Sequence, residues 1–99
     1  MNSRGETLRV AIAGAGFAGR LHSHAARLAG AQIVGASAST PERAEAAAAA
    51  LGADRGFATS EELVSSPDVD VVHICTPNNV HAELASAAIA AGKHVVCEK

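Results

Sequence analysis

Five short apolar runs alternate with helix-forming segments along the chain, and no other property narrows its fold as much. The runs span 8–13 (LRVAIA), 32–37 (QIVGAS), 55–58, 69–75 (VDVVHIC) and 94–97 (HVVC). Short, turn-bounded apolar runs fit strands buried on both faces of a parallel sheet. Helix patterns fill the gaps, over 17–29, 40–51, 59–65 and 80–91. Thr40-Pro41-Glu42 supplies an N-cap, a first-position proline and a first-turn acid. Thr59 to Glu62 reads as a capping box in which Glu62 reaches back to Thr59. Gly30, Gly52 and Gly92 close three of the helices. Over 17–29, Phe17, Leu21, Ala25 and Leu28 recur on one side. The tract Ala46–Ala50 combines high helix propensity with side chains small enough to lie close to a sheet. Alternation of this kind predicts an α/β fold: a doubly wound parallel sheet of about five strands in three α/β/α layers, wound by right-handed crossovers. With 99 residues the chain is one domain, 1–99, with residues 1–6 polar and expected to be flexible.

Composition removes several functions. Net charge is −2, and two Phe with no Trp or Tyr leave neither a basic field nor stacking platforms for nucleic acid. No apolar run approaches the ~20 residues of a membrane span. The run from Val10 to Ala18 has the length of a signal-peptide core, but Gly14 and Gly16 break it and Glu6 precedes it. Cys75 and Cys97 form no CxxC pair and read as reduced core thiols, so the expected location is cytoplasmic. His22 and His24 stand two apart on a helix and point to different faces, while His73 reads as a hydrogen-bonded strand residue. No metal site is expected.

The first apolar run meets Gly14-Ala15-Gly16-Phe17-Ala18-Gly19, a G-x-G-x-x-G turn between a strand and a helix. In that context the pattern is the dinucleotide-binding turn of a Rossmann-type domain. Gly14 permits the tight turn, Gly16 lets the backbone approach a pyrophosphate, and Gly19 lets the helix lie on the strand. The pyrophosphate would face the free N–H groups and positive end of the helix. A tight turn without a ligand is the alternative.

The usual partner of this turn is an Asp or Glu about 20 residues on, which holds the ribose hydroxyls of NAD. Here no acidic residue occurs between Glu6 and Glu42, and the second run ends in Ser37-Ala38-Ser39-Thr40. Without a carboxylate a 2′-phosphate is not repelled. Ser39 and Thr40 offer hydroxyls, and Arg43 a guanidinium fork suited to phosphate. NADP is therefore favoured over NAD. Thr40 serves equally as a simple N-cap, and Arg43 as a solvated helix residue.

Two further segments carry a family resemblance: Asp70-Val71-Val72-His73-Ile74-Cys75-Thr76-Pro77-Asn78-Asn79-Val80-His81 and Gly92-Lys93-His94-Val95-Val96-Cys97-Glu98-Lys99. With the glycine turn they make the chain, from Leu8 on, resemble the N-terminal NAD(P)-binding domain of Gfo/Idh/MocA oxidoreductases. The resemblance implies that Thr76, Pro77 and Asn78 lie against the ribose and nicotinamide half of the cofactor, with His81 a further candidate. Along the glycine turn it adds Phe17 and Ala18 to the cofactor contacts. Glu98 and Lys99 match the start of the family's Glu-Lys-Pro motif. By resemblance Glu98 contacts the nicotinamide ribose, and Lys99 is the catalytic residue that orients or polarises the substrate hydroxyl. A C-terminal substrate domain, absent from these residues, would complete the site.

The expected function is thus the cofactor-binding part of an oxidoreductase that moves a hydride between NAD(P) and a sugar, cyclitol or related polyol. The resemblance further implies a homo-oligomer for the full-length protein. A stand-alone dinucleotide-binding or sensor module without catalysis is the alternative.

Overall fold

The computed structural model describes residues 7–14, 16–76 and 81–97, with Phe17 and His81 described by backbone alone. The expectation for residues 1–6 falls outside them. Strands β1 (Arg9–Ala13), β2 (Gln32–Ser37), β3 (Arg55–Phe57), β4 (Val71–Ile74) and β5 (His94–Cys97) alternate with helices α1 (Phe17–Leu28), α2 (Pro41–Leu51), α3 (Ser60–Ser65) and α4 (His81–Ala90). The strands form one sheet in the order β3-β2-β1-β4-β5, and every pair is parallel. The chain moves from β1 outward to β3, then returns to place β4 on the other side of β1. The order therefore reverses between β1 and β4, which is where open α/β sheets bind ligands, beyond the carboxyl ends of the strands.

Each face of the sheet has its own core. Val10, Ile12, Ile33, Ala36 and Val71 pack under α1 and α2, against Ala26, Ala48 and Leu51. Ala11, Ala13, Val34, Val72 and Ile74 pack under α3 and α4, against Leu63, Val64, Leu84 and Ala88. Odd and even positions of β1 and β4 thus feed opposite cores, which is why these strands read as continuous apolar runs.

Both threonine caps form. Thr40 Oγ1 accepts from the Arg43 N–H at 3.1 Å, and Thr59 Oγ1 accepts from the Glu62 N–H at 3.0 Å. The reciprocal bond expected from Glu62 does not form, and Glu62 lies exposed. Of the alanine tract 46–50 only Ala48 turns into the core, and the close approach to the sheet is made mainly by Ala44 before it. Ala44 and Ala48 are buried, and α2 lies so close to β3 that a Cβ at Gly56 would stand 2.7 Å from the Ala44 carbonyl.

Helix α1 departs from its apolar stripe. Leu21 is 55% and Leu28 77% exposed, whereas Gly19, Ser23 and Ala26 face the sheet. The reason is separation: a Cβ at Gly19 would stand 2.8 Å from the Gly14 carbonyl oxygen, so only small residues fit beneath the helix. The leucines are displaced to its exposed flank, while Ala25, Ala26 and Ala29 border a groove of about 510 Å³ over Val71 and His73.

At the amino ends of β1 and β4, Arg9 and Asp70 lock the sheet. The Arg9 Nε and Nη2 donate to Asp70 Oδ2 and Oδ1, each at 3.1 Å, and the Arg9 N–H donates to Oδ2 at 2.9 Å. This lock sits at the end of the sheet opposite the glycine turn.

Candidate cofactor-binding site

The carboxyl ends of β1, β2 and β4 are tied to one another. The Gly14 N–H donates to the Ser37 carbonyl at 3.1 Å, and the Cys75 N–H donates to the Ala13 carbonyl at 2.7 Å. Buried Ser37 is held in turn by Ser60 of α3, with the two hydroxyl oxygens 2.8 Å apart. The three glycines of the turn occupy different environments. Gly14, at φ +97°, is so close to the β4 exit that a Cβ would meet the Cys75 carbonyl carbon and the Thr76 nitrogen at 2.8 Å. Gly16, at φ 91° and ψ −160°, caps α1, lies exposed and has open space where a Cβ would go. Gly19 carries α1 onto β1. The open space at Gly16, at the head of a twelve-residue helix, fits a phosphate that a side chain would exclude.

Ser39, Thr40 and Arg43 converge at the end of β2. The Arg43 Nη1 donates to Ser39 Oγ at 3.3 Å, and Thr40 caps the same helix turn. All three are exposed. The Thr40 oxygen accepts the Arg43 N–H, and its hydroxyl proton remains free to be donated to a ligand oxygen. The cluster holds donors and a cation where an NAD-selective site has a carboxylate. Arg20, which the sequence offered only as a residue of α1, lines a cleft with Gly16 and Arg43. No pattern in the sequence could reveal that pairing, because it depends on how α1 and α2 lie side by side.

Thr76 lies half-buried beside Gly14, so the glycine turn and the start of the Thr76-Pro77-Asn78 segment share one crevice. Ala18 is half-buried in the first turn of α1. Pro77, Asn78, Glu98 and Lys99 lie outside the described residues, as do the side chains of Phe17 and His81. The expected contacts of the nicotinamide half and the expected catalytic lysine therefore have no geometry here. Backbone places His81 at the start of α4.

His73 is hydrogen-bonded, as its strand position suggested, but its partner was not foreseen. The Nδ1 atoms of His22 and His73 stand 2.9 Å apart, with the rings edge to face. Burial, reinforced by neighbouring His22, pushes the His73 imidazole below its ordinary value. Neither cysteine forms a disulfide. Cys75 is half-buried, but Cys97 is exposed and is not the core thiol expected, because β5 is an edge strand that α4 leaves partly uncovered. Among the described residues no group of three His, Cys, Asp or Glu could hold a metal ion, and no helix is long and apolar enough to cross a membrane.

A family model describing an oxidoreductase family with an NAD-binding Rossmann fold, Gfo/Idh/MocA, matches residues 8–99. The chain belongs to the Gfo/Idh/MocA oxidoreductase family. It is 44% identical over 76% of its length to the 1,5-anhydro-D-fructose reductase of Ensifer adhaerens, and covers 22% of that protein. Against the levoglucosan dehydrogenase of Pseudarthrobacter phenanthrenivorans it is 38% identical over 95% of its length, covering 26% of the relative. The crystal structure of an NAD-binding oxidoreductase from Klebsiella pneumoniae superposes with a TM-score of 0.90 at 40% identity, over 94% of this chain and 27% of that one. A levoglucosan dehydrogenase complexed with NADH and levoglucosan superposes at 0.87 with 36% identity, over 95% and 28%. The chain thus spans about a quarter of the length of the relatives it matches. It is the NAD-binding Rossmann domain of this oxidoreductase family.

Proposed function

We propose that this domain serves an oxidoreductase that transfers a hydride between NADP, in preference to NAD, and a sugar, cyclitol or related polyol. The cofactor preference rests on one observation: Ser39, Thr40 and Arg43 stand together at the end of β2, and the stretch 37–41 that leaves the strand carries no acid. A 2′-phosphate would receive hydroxyl and guanidinium donors there and would not meet the ribose-binding carboxylate of an NAD-selective strand end. It would also offset the Arg43 cation, which opposes the dipole at the start of α2.

Gly14, Gly16 and Gly19 seat the pyrophosphate at the head of α1. Thr76, Pro77, Asn78, His81 and Glu98 hold the nicotinamide half, in keeping with the position of Thr76 beside Gly14. Lys99, by resemblance to the family, orients the substrate hydroxyl, since an ammonium stabilises a developing alkoxide. When bound, the nicotinamide supplies the hydride acceptor. The substrate class follows relatives named as reductases or dehydrogenases of anhydrofructose, levoglucosan and inositol. Homo-oligomeric assembly of the whole protein and a cytoplasmic location complete this reading, the latter supported by the exposed, unpaired thiol of Cys97.

Titration of cofactor fluorescence tests the preference. NADPH is expected to bind at least several-fold tighter than NADH, and equal or tighter NADH binding refutes it. Turnover of NADP with a panel of polyols, followed by nicotinamide absorbance, tests the substrate class, and activity confined to non-polyol substrates refutes that part.

A further inference from the structure

A cleft of about 240 Å³ runs between α1 and α2. Arg20 enters it from α1 and Arg43 from α2, with Gly16 at its head and Ala46, Ala47 and Ala50 along one wall. The alanines leave the space between the helices unfilled. Among the described residues neither guanidinium has a carboxylate within 4.0 Å, since the ion pairs there belong to Arg9. Among the described residues the Arg43 guanidinium donates only to the neutral Ser39 hydroxyl, and Arg20 is exposed. Two like charges that share a cleft without an anion repel, so the arrangement is stabilised by binding one.

We infer that Arg20 is a second specificity-determining residue for the cofactor, pairing with Arg43 on the 2′-phosphate of NADP. The inference rests on the NADP reading above and extends it to a residue on a different helix. A phosphomonoester carries about −1.5 to −2 charge at neutral pH, so one guanidinium leaves it partly uncompensated and two balance it. Each guanidinium offers five donors in a planar fork, and two forks from neighbouring helices can divide the three phosphate oxygens between them. The corresponding hydroxyl of NAD is neutral and gains little from a second cation. Arg20 therefore acts on the difference between the two cofactors rather than on dinucleotide binding as such. Its place in the helix fits this role. The Arg20 N–H donates to the Gly16 carbonyl at 3.0 Å, so its side chain leaves α1 one turn beyond the pyrophosphate turn, on the flank that faces α2.

The test compares wild-type protein with Arg20→Ala, Arg20→Lys and Arg43→Ala, each titrated with NADPH, NADH, 2′,5′-ADP and 5′-AMP. Arg20→Ala is expected to weaken NADPH and 2′,5′-ADP about tenfold, the effect of losing one charge-assisted contact, and NADH and 5′-AMP less than about twofold. Arg20→Lys should recover part of the loss. Unchanged melting temperatures establish that the exposed substitutions leave the fold intact. Wild-type protein that binds NADH as tightly as NADPH would overturn the cofactor reading and this inference with it. Wild-type preference for NADPH, combined with an Arg20→Ala loss that is equal for both cofactors or absent, would overturn the Arg20 assignment alone.

Discussion

Replacing Gly14 with alanine tests whether the glycine turn is part of the scaffold before it is part of a binding site. The structure gives the penalty two independent parts. Gly14 sits at φ +97°, and an L side chain in left-handed backbone costs about 1–2 kcal/mol. Its Cβ would also stand 2.8–2.9 Å from three backbone atoms of Cys75 and Thr76. Backbone cannot rotate aside as a side chain can, so the exit of β4 must move, and overpacking of this kind costs about 1–3 kcal/mol. Together the loss is about 2–5 kcal/mol, against a total stability of about 5–15 kcal/mol for a folded domain. For a domain of this size 1 kcal/mol corresponds to about 4–8 °C, so the melting temperature should fall by about 8 °C or more. The assay is thermal or urea unfolding of cofactor-free protein, followed by circular dichroism. Gly16→Ala is the control. Nothing lies within 4 Å of its Cβ, but its backbone is in a region nearly reserved for glycine, a cost of about 1–3 kcal/mol. Its larger effect should be on dinucleotide affinity, because the methyl group occupies the space left for a phosphate. A cofactor-free Gly14→Ala protein that melts within about 2 °C of wild type would refute the reasoning, because it would mean that β1 and β4 do not approach as described.

Three other outcomes follow from particular contacts. Asp70→Ala removes a two-pronged ion pair whose arginine is itself partly exposed; unfolding titrations should show a loss of about 1–2 kcal/mol, with most of it screened away in high salt if the pair acts through charge. Thr40→Ala deletes the α2 cap and should cost about 1 kcal/mol in urea unfolding, while Thr40→Ser keeps the acceptor and costs less. His73 binds its proton less readily in the folded than in the unfolded chain, so its contribution to stability is present above the ordinary imidazole value of about 6.5 and is lost as pH falls below it. Melting temperature should therefore drop between pH 7.5 and 5.5 in wild type and drop less in His73→Gln; equal drops in the two proteins would refute the coupling.

What the sequence made legible was whatever a single segment decides by itself. The strand Gln32–Ser37 and the cap at Thr40 are local facts, written in a short turn-bounded apolar run and in a hydrogen bond three residues long. The parallel sheet of five strands followed from the alternation, whereas their order came only with the structure; the close approaches at Gly14 and Gly19 followed from the turn's position between a strand and a helix. The failures along α1 share one cause, the distance between neighbouring elements. Periodicity placed Leu21 and Leu28 on the apolar side of α1, yet the helix approaches β1 so closely at Gly19 that its bulky residues are pushed to the flank. The same close approach aims Arg20 at α2 and His22 at β4, where each meets a partner more than twenty residues away in the chain. A helix spaced farther from the sheet would have buried the leucines and left both pairings unmade. The glycine that carries α1 onto β1 thus also determines which side chains the helix turns toward α2 and β4. That Arg20 lines a cleft with Arg43 could be recognised only once the packing of α1 was known.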